Sequence, residues 1–134
     1  MIKITKQLAI FLDNKPGVLS NVCDDLAEHN INIIALTVSD TIDHTVLRLI
    51  VDDHEKAVSI LETTGVMVVD REVILLDIPN KAGTLGKVAK YLAAKKHNIE
   101  YLYCSSGQSQ KTGTLVLRTK NVEKAYELLK GLKI

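Results

Sequence analysis

Residues 14–19, Asn-Lys-Pro-Gly-Val-Leu, return as Asn-Lys-Ala-Gly-Thr-Leu at residues 80–85, and this repeat is the strongest indication of the fold. Two further pairs keep the same shift of 66 positions: Leu26-Ala27 with Leu92-Ala93, and Asn32-Ile33 with Asn98-Ile99. Core packing alone would repeat the apolar positions, whereas here a polar turn and a later Asn repeat as well. A repeated polar loop predicts a repeated site, although a turn signal alone also explains it.

Each copy is predicted to have the order β-α-β-β-α-β. In the first copy, an apolar run at residues 7–13 has strand length and is broken by the Asn-Lys-Pro-Gly turn. The helix that follows has an apolar face formed by Val18, Leu19, Val22, Cys23 and Leu26. Strands are predicted at residues 31–39, 45–51 and 66–69, and Asp53 is placed as the N-cap of a second helix.

The second copy predicts the same elements in the same order. Its strands fall at residues 73–78, 98–106 and 114–119, and its helices at residues 82–96 and 122–130, with Leu85, Val88, Ala89 and Leu92 facing inward. The fold class is therefore α+β, with two ferredoxin-like βαββαβ domains at residues 1–70 and 71–134, antiparallel sheets and helices on one face.

The second copy stops where its fourth strand should begin, since residues 131–134 align with residues 63–66. A missing last strand would leave one edge of the sheet unpaired. We therefore expect this edge to be covered by residues 1–5 or by a partner chain.

Composition excludes several classes of partner. The formal net charge is +1 and the acidic and basic residues are interspersed. The sequence therefore predicts no concentrated positive charge that would attract nucleic acid or a membrane surface. The apolar runs are far shorter than the roughly 20 residues that span a bilayer. The first residues lack the features of a signal peptide, and we expect a cytoplasmic protein.

Both halves resemble ACT domains, small ferredoxin-like modules that bind amino acids and regulate metabolism. Residues 13–19 resemble the family's Asp/Asn-x-Pro-Gly-x-Leu turn, and residues 26–33 resemble its Leu-Ala-x-x-Gly-Ile-Asn-Ile helix exit. The resemblance covers about residues 7–131, and both motifs occur twice at the family spacing. The chain is identified on these residues as a tandem ACT-domain protein.

The resemblance implies an amino-acid site where two ACT domains pack, between the first turn and the strand after the first helix. In a serine-sensing member of the family, an Asn in the turn and an Asn at the helix exit hold the ligand. The matching positions here are Asn14 with Asn32, and Asn80 with Asn98. A side-chain amide offers the donors and acceptors that a zwitterion needs.

The remaining residues of both turns and exits complete the implied ligand-binding set. They are Pro16, Gly17, Val18, Leu19 and Ile33 in the first copy, and Ala82, Gly83, Thr84, Leu85 and Ile99 in the second. The serine-sensing member has a His two residues before its turn Asn, where this chain has Leu12 and Ile78, so serine itself is not implied. Since Ala82 stands where Pro is usual, the two sites are expected either to differ in affinity or to include only one that works.

Plain structural explanations stay open for these residues. Asn14 and Asn80 fit a turn without any ligand, whereas Asn32 and Asn98 begin strands, where Asn is disfavoured, and this favours a functional role. Asp40, Asp43 and His44 could form a metal site or a solvated turn, and the turn is the better explanation. We therefore expect neither a metal nor a cofactor. Cys23 and Cys104 lack the spacing of a redox or metal pair and are interpreted as buried reduced thiols.

Catalysis and RNA binding are both disfavoured. No Ser-His-Asp or Cys-His set recurs in the two copies, and no Gly-rich phosphate loop follows a strand, which predicts a protein that is not an enzyme. RNA-recognition motifs share the element order but need aromatic side chains on the third strand, and residues 45–51 and 114–119 contain none.

We therefore predict a regulatory protein that binds a small amino acid or a related metabolite between paired ACT domains. We expect a homodimer, with an enzyme as a possible partner and with neither nucleic acid nor a membrane as one. Two alternatives stay open: a regulatory subunit of an amino-acid biosynthetic enzyme, and an assembly module with vestigial ligand sites.

Overall fold

The structure is a computed structural model that describes residues 1–40 and 44–134. Its contacts divide the chain into two compact units. The first module is Lys6–Arg71, and the second module combines Met1–Thr5 with Glu72–Ile134. These ranges differ from the predicted boundaries of 1–70 and 71–134 mainly in the first five residues, which belong with the second repeat.

The first module is a βαββαβ unit. Its elements are β1 (Ile2–Asp13, of which residues 6–13 lie in this module), α1 (Val18–Glu28), β2 (Ile33–Asp40), β3 (His44–Val51), α2 (His54–Thr63) and the start of β4 (Met67–Pro79). The strand order is β2-β3-β1-β4, which makes β2 an edge strand. β3 pairs antiparallel with both neighbours, with Leu47 opposite Ile10 on one side and opposite Val38 on the other.

One face of this sheet forms the core of the first module. Alternate residues of β1 and β3 point to that face, and they pack with buried residues of both helices: Leu8, Ile10, Leu12, Leu47, Leu49, Val51, Val22, Leu26, Ala57 and Leu61. Period-two alternation in the strands and helical spacing in α1 and α2 therefore meet in one apolar layer. Asp53 is the predicted N-cap of α2, and its side chain accepts from the Lys56 backbone N–H at 3.2 Å.

The second module repeats this plan. It takes residues 72–79 of β4, then α3 (Thr84–Ala94), β5 (Tyr101–Ser105), β6 (Thr112–Arg118), α4 (Val122–Lys130) and residues 1–5, which include the start of β1. The strand order is β5-β6-β4-β1, with β5 at an edge. Its core is built from β4, β6 and the two helices, and includes Ile74, Leu76, Ile78, Val88, Leu92, Leu115, Leu117, Ala125 and Leu129.

The missing fourth strand of the second module comes from the other end of the chain. The Asp77 backbone N–H donates to the Met1 carbonyl oxygen at 2.9 Å, and Ile2 and Ile4 pack against the second core. This confirms the first of the two expectations for that sheet edge. The two short strands predicted at residues 66–69 and 73–78 are also one strand, β4.

Three sequence predictions about side-chain burial are wrong. Leu19 and Leu85 are 41% and 43% exposed, although helical spacing placed both on the inner faces of their helices. The buried positions are Val22 and Leu26 in α1 and Thr84, Val88 and Leu92 in α3, so the buried stripe runs at every fourth residue and leaves Leu19 and Leu85 at its flank. Cys104 is exposed because it lies on the edge strand β5, so the prediction of two buried thiols fails.

Candidate functional site

The two predicted turns share one backbone design. Gly17 and Gly83 are the N-cap residues of α1 and α3, and both have positive φ angles, 89° and 90°. A side chain is disfavoured at such angles, so glycine is required by the turn itself. Neither cap has a side-chain hydrogen bond, and the first N–H of each helix, at Val18 and Thr84, donates instead to the Lys15 or Lys81 carbonyl at 3.5 and 3.3 Å.

In the second module, Asn80 ties its turn to the β5–β6 hairpin. The Asn80 side-chain amide (Nδ2) donates to the carbonyl oxygens of Gly107 at 3.0 Å and Gln110 at 2.9 Å. The Asn80 backbone N–H donates to the Lys111 carbonyl at 2.8 Å. Both amide protons of the side chain are therefore used within the module, and only its oxygen can meet a ligand.

The two helix exits also share one backbone design. Asn30 and Lys96 have left-handed φ angles of 58° and 57°, at the position where the family motif has Gly. The next residue closes the helix in each copy: Ile31 N–H donates to the Leu26 carbonyl and His97 N–H donates to the Leu92 carbonyl, both at 2.9 Å. This is a Schellman-type ending, and it delivers Asn32 and Asn98 to equivalent places just beyond the helix.

The exit asparagines are exposed, as Asn80 is, but unlike Asn80 their side chains have no hydrogen-bond partner in the described part of the chain. The backbone of Asn32 is held on both sides, because its N–H donates to Asp52 Oδ1 at 3.0 Å and its carbonyl accepts from Asp52 N–H at 3.1 Å. A fixed backbone with an available amide side chain can recognise a polar ligand without reorganising.

The strand register does not bring the turn and exit asparagines of one module together. Asp13 pairs with His44 at one end of β3, whereas Asn32 bonds to Asp52 beyond the other end. Eight residues of extended chain put roughly 25 Å between these ends. Asn80 and Asn98 are likewise at opposite ends of β6, beside Lys111 and beyond Arg118. A site that uses both asparagines therefore needs two ACT-type domains.

The other predicted site residues surround these asparagines. Pro16, Gly17, Leu19, Ala82, Gly83 and Leu85 are exposed, and Val18, Ile33 and Ile99 are half-buried. Thr84 is only 3% exposed, and its Oγ1 is buried without a hydrogen-bond partner among the described residues. The exposed parts of the two turns therefore include a leucine side chain and the backbone, whereas the Thr84 side chain is buried.

A cavity of about 370 Å³ opens beside Asn98. It is lined by Ala89, Ala93, Lys96, His97, Asn98 and Ile99. His97 was not a predicted site residue, although comparison of the repeats could have singled it out, because the aligned residue of the first copy is Ile31. Its Nε2 atom is buried and has no hydrogen-bond partner in the described residues.

Two further cavities of the second module contain none of the predicted residues. One of about 420 Å³ lies beside Met1, Asp77 and Lys130, and one of about 400 Å³ lies beside Arg118 and Asn121. Glu127 Oε2 is 3.0 Å from Lys130 Nζ, and this hydrogen bond and the negative charge raise the pKa of the Lys130 ammonium. Arg118 donates to the Glu72 carbonyl at 2.7 Å, so its guanidinium is partly used by the fold.

A family model for the ACT domain pair matches residues 3–134. The chain belongs to the ACT domain pair family. The turns at Gly17 and Gly83 and the exits at Asn32 and Asn98 are thus features of two ACT domains. The matching model describes this domain pair and indicates no catalytic family.

Solved structures give the same fold. The crystal structure of protein BT0572 from Bacteroides thetaiotaomicron is 37% identical, with a TM-score of 0.89 over 96% of this chain and 88% of that one. The regulatory subunit of aspartate kinase from Thermus thermophilus is 16% identical, with a TM-score of 0.71 over 96% and 94%. A search of curated proteins found no match.

Two negative findings apply to residues 1–40 and 44–134. No helix there is long and apolar enough to cross a membrane. No group of three or more His, Cys, Asp or Glu side chains there could hold a metal ion. Asp43, one of the three metal candidates weighed in the sequence, lies outside these residues, as does most of the predicted turn at residues 40–44.

Proposed function

We propose that this protein is a non-catalytic regulatory protein that binds a small amino acid or a related metabolite where two ACT domains from different copies of the chain meet. The observation that carries the proposal is the separation of the paired asparagines within each module, roughly 25 Å by strand register. One domain cannot supply both halves of the implied site, and a second domain can.

A two-fold dimer supplies the second half through simple geometry. β2 begins beside Asn32 and ends at the turn end of the module, where Asp40 pairs with Thr45. If two β2 edge strands pair antiparallel, the Asn32 end of one copy lies beside the Asn14 end of the other. The two-fold axis then creates two identical sites, each with one turn and one helix exit.

The exposed side chains of β2 support this edge as the contact. Leu36 and Val38 are 37% and 42% exposed, and they lie on the helix-covered side of an edge strand. An apolar edge strand readily pairs with another chain. The β5 edge at the equivalent positions has the half-buried Leu102 and the exposed Cys104, and it is less apolar.

The chemistry of such a site suits a zwitterion. The N–H groups in the first turn of α1 or α3, which have no side-chain cap, favour a carboxylate. The exit asparagine offers both donors and an acceptor. A ligand held by two copies favours the paired state by its differential affinity, which links ligand concentration to assembly. Any output then passes through a partner that recognises the paired state.

Thermal shift with each of the twenty amino acids tests the proposal. A ligand at 100 times its Kd adds about 2.7 kcal/mol to the free energy of unfolding, which raises Tm by several degrees. We expect at least one amino acid to give such a shift, and we expect Asn32→Ala, Asn98→Ala or both together to remove it.

Ser59→Ala is the control, because Ser59 is an exposed polar residue of α2, outside both turns and both helix exits. It should leave the shift intact. If no amino acid shifts Tm while the protein still forms a stable oligomer, the sites are vestigial and the protein is an assembly module.

A regulatory subunit of an amino-acid biosynthetic enzyme is the second candidate. The observation in its favour is that the Thermus thermophilus aspartate kinase regulatory subunit and this chain match over nearly their full lengths. At 16% identity this match concerns the fold alone. An enzyme that co-purifies with the tagged protein in fixed ratio, and whose activity changes with the amino acid identified above, would establish this role.

A further inference from the structure

The first helices of the two repeats carry opposite charges. α1 has three acidic residues and no basic one, whereas α3 and its exit, residues 84–96, have four lysines and no acidic residue. These residues are Asp24, Asp25, Glu28, Lys87, Lys90, Lys95 and Lys96. The repeat therefore keeps the helix but reverses the sign of its charge, and the charges that are interspersed along the whole sequence are separated on these two helices.

The fold does not use the outward-facing charges of either helix. Asp24 and Glu28 on α1 and Lys87 and Lys90 on α3 are exposed, and none of them forms an ion pair with another residue of the ranges 1–40 and 44–134. Glu28 is the last residue of α1, where the helix dipole disfavours a negative charge. Stability of the helices therefore does not explain where these charges lie.

Each set of charges forms part of one outward helix face. Asp24 and Glu28 are four positions apart, and Lys87 and Lys90 are three apart, so each pair lies on one side of its helix. That side is turned away from the buried stripe of the same helix. The exposed positions beside these charges hold small residues: Ser20, Ala27, Gly86 and Ala93. Small side chains let two helices approach closely, so each charged face can pack against another helix.

We infer that the outward face of α1 in one copy of the chain binds the outward face of α3 in a second copy. If the two helices run antiparallel, Asp24 lies opposite Lys90 and Glu28 lies opposite Lys87. Charge complementarity identifies the occupant, because contact between two α1 faces or between two α3 faces would bring like charges together. The contact uses neither the β2 edge nor the four asparagines, and so it goes beyond the proposed function.

Sedimentation velocity of the whole protein at two salt concentrations gives the first test. The distance over which charges are screened is about 30 Å in 0.01 M salt and about 3 Å in 1 M salt. We expect the assembly to have a larger mass at the lower salt concentration, because attraction between exposed charges is strong only there. Equal masses at the two concentrations would overturn the inference.

Charge reversal locates the contact. Lys87→Glu with Lys90→Glu makes both faces acidic, and Asp24→Lys with Glu28→Lys makes both faces basic. Each double variant should associate with itself at least about tenfold more weakly than the parent protein does, because like charges then meet. A chain with all four changes should associate as the parent does, since its two faces have only exchanged signs. An equal mixture of the two double variants should associate as well.

Lys111→Glu with Lys133→Glu is the matched control. It changes the net charge by the same amount as the α3 variant, and both lysines are exposed and lie outside α3 and its exit. It should leave the association unchanged. Because Lys87→Glu suits the start of a helix and Glu28→Lys suits its end, the test variants should keep their helices, and circular dichroism checks this.

Three outcomes overturn the contact and leave the proposed function standing. The first is a four-residue variant that does not regain the association, because complementary charges would then not be its cause. The second is a control variant that loses association as fully as the α3 variant, which would make net charge the cause. The third is a parent protein that binds only a different, acidic protein through Lys87 and Lys90. The amino-acid screen tests the ligand site separately, since it does not depend on these helix faces.

Discussion

At the scale of single residues, Asn80 in the second turn has a different role from Asn98 at the helix exit of the same module. The Asn80 side-chain amide donates both of its protons to the hairpin carbonyls of Gly107 and Gln110. Asn80→Ala should lower the free energy of unfolding by about 1–3 kcal/mol without any ligand, because two carbonyls lose their donors. Chemical denaturation of the two proteins measures this difference.

Asn98→Ala is the matched change at the exit of the same module. Its side chain is exposed and has no hydrogen-bond partner in the described residues, so we expect an effect within about 0.5 kcal/mol. Equal stability of Asn80→Ala and the parent protein would show that the hairpin bonds contribute little, and the turn would then be free to serve a ligand.

At the scale of elements, β1 serves two modules. Residues 6–13 lie in the first sheet, and residues 1–5 complete the second through Ile2, Ile4 and the bond from Asp77 N–H to the Met1 carbonyl. Ile4→Ala should destabilise the second module by about 1–2 kcal/mol, because Ile4 is half-buried against its core. Hydrogen exchange should rise in residues 73–79, while residues 47–51 of the first core stay protected.

Lys3→Ala is the control for that strand, since Lys3 is exposed between Ile2 and Ile4. It should change neither stability nor exchange. Loss of protection in residues 47–51 together with 73–79 in Ile4→Ala would show instead that the two modules unfold as one unit.

At the scale of the whole molecule, the proposed dimer depends on one edge strand. Val38→Lys should raise the dimer dissociation constant roughly tenfold or more, because a two-fold pairing of β2 brings the new charges together. Analytical ultracentrifugation measures this change. Cys104→Lys, at the equivalent position of β5, should leave the dimer intact. If Phe11→Lys, on a central strand, separates the subunits instead, the contact is the sheet face and not the β2 edge.

Much of the fold could be predicted because it is written in local patterns. The apolar run in residues 7–13, the helical spacing from Val22 to Leu26 and the cap at Asp53 each act over a few residues, and the structure confirms the elements they predict. The second copy carries the same patterns at the equivalent positions. The burial predicted for Leu19 and Leu85 failed because the buried stripe of each helix is narrower than its apolar spacing predicts.

The candidate site could be predicted only by residue type. The sequence alone predicted a glycine-containing turn before each first helix and an asparagine after it, since turn preference and chain spacing are local properties. The tertiary fold places the turn and exit asparagines at opposite ends of β3 and β6, bonds Asn80 to the hairpin, and puts His97 beside a cavity. Register and burial depend on contacts between segments distant in sequence, and no local pattern encodes them.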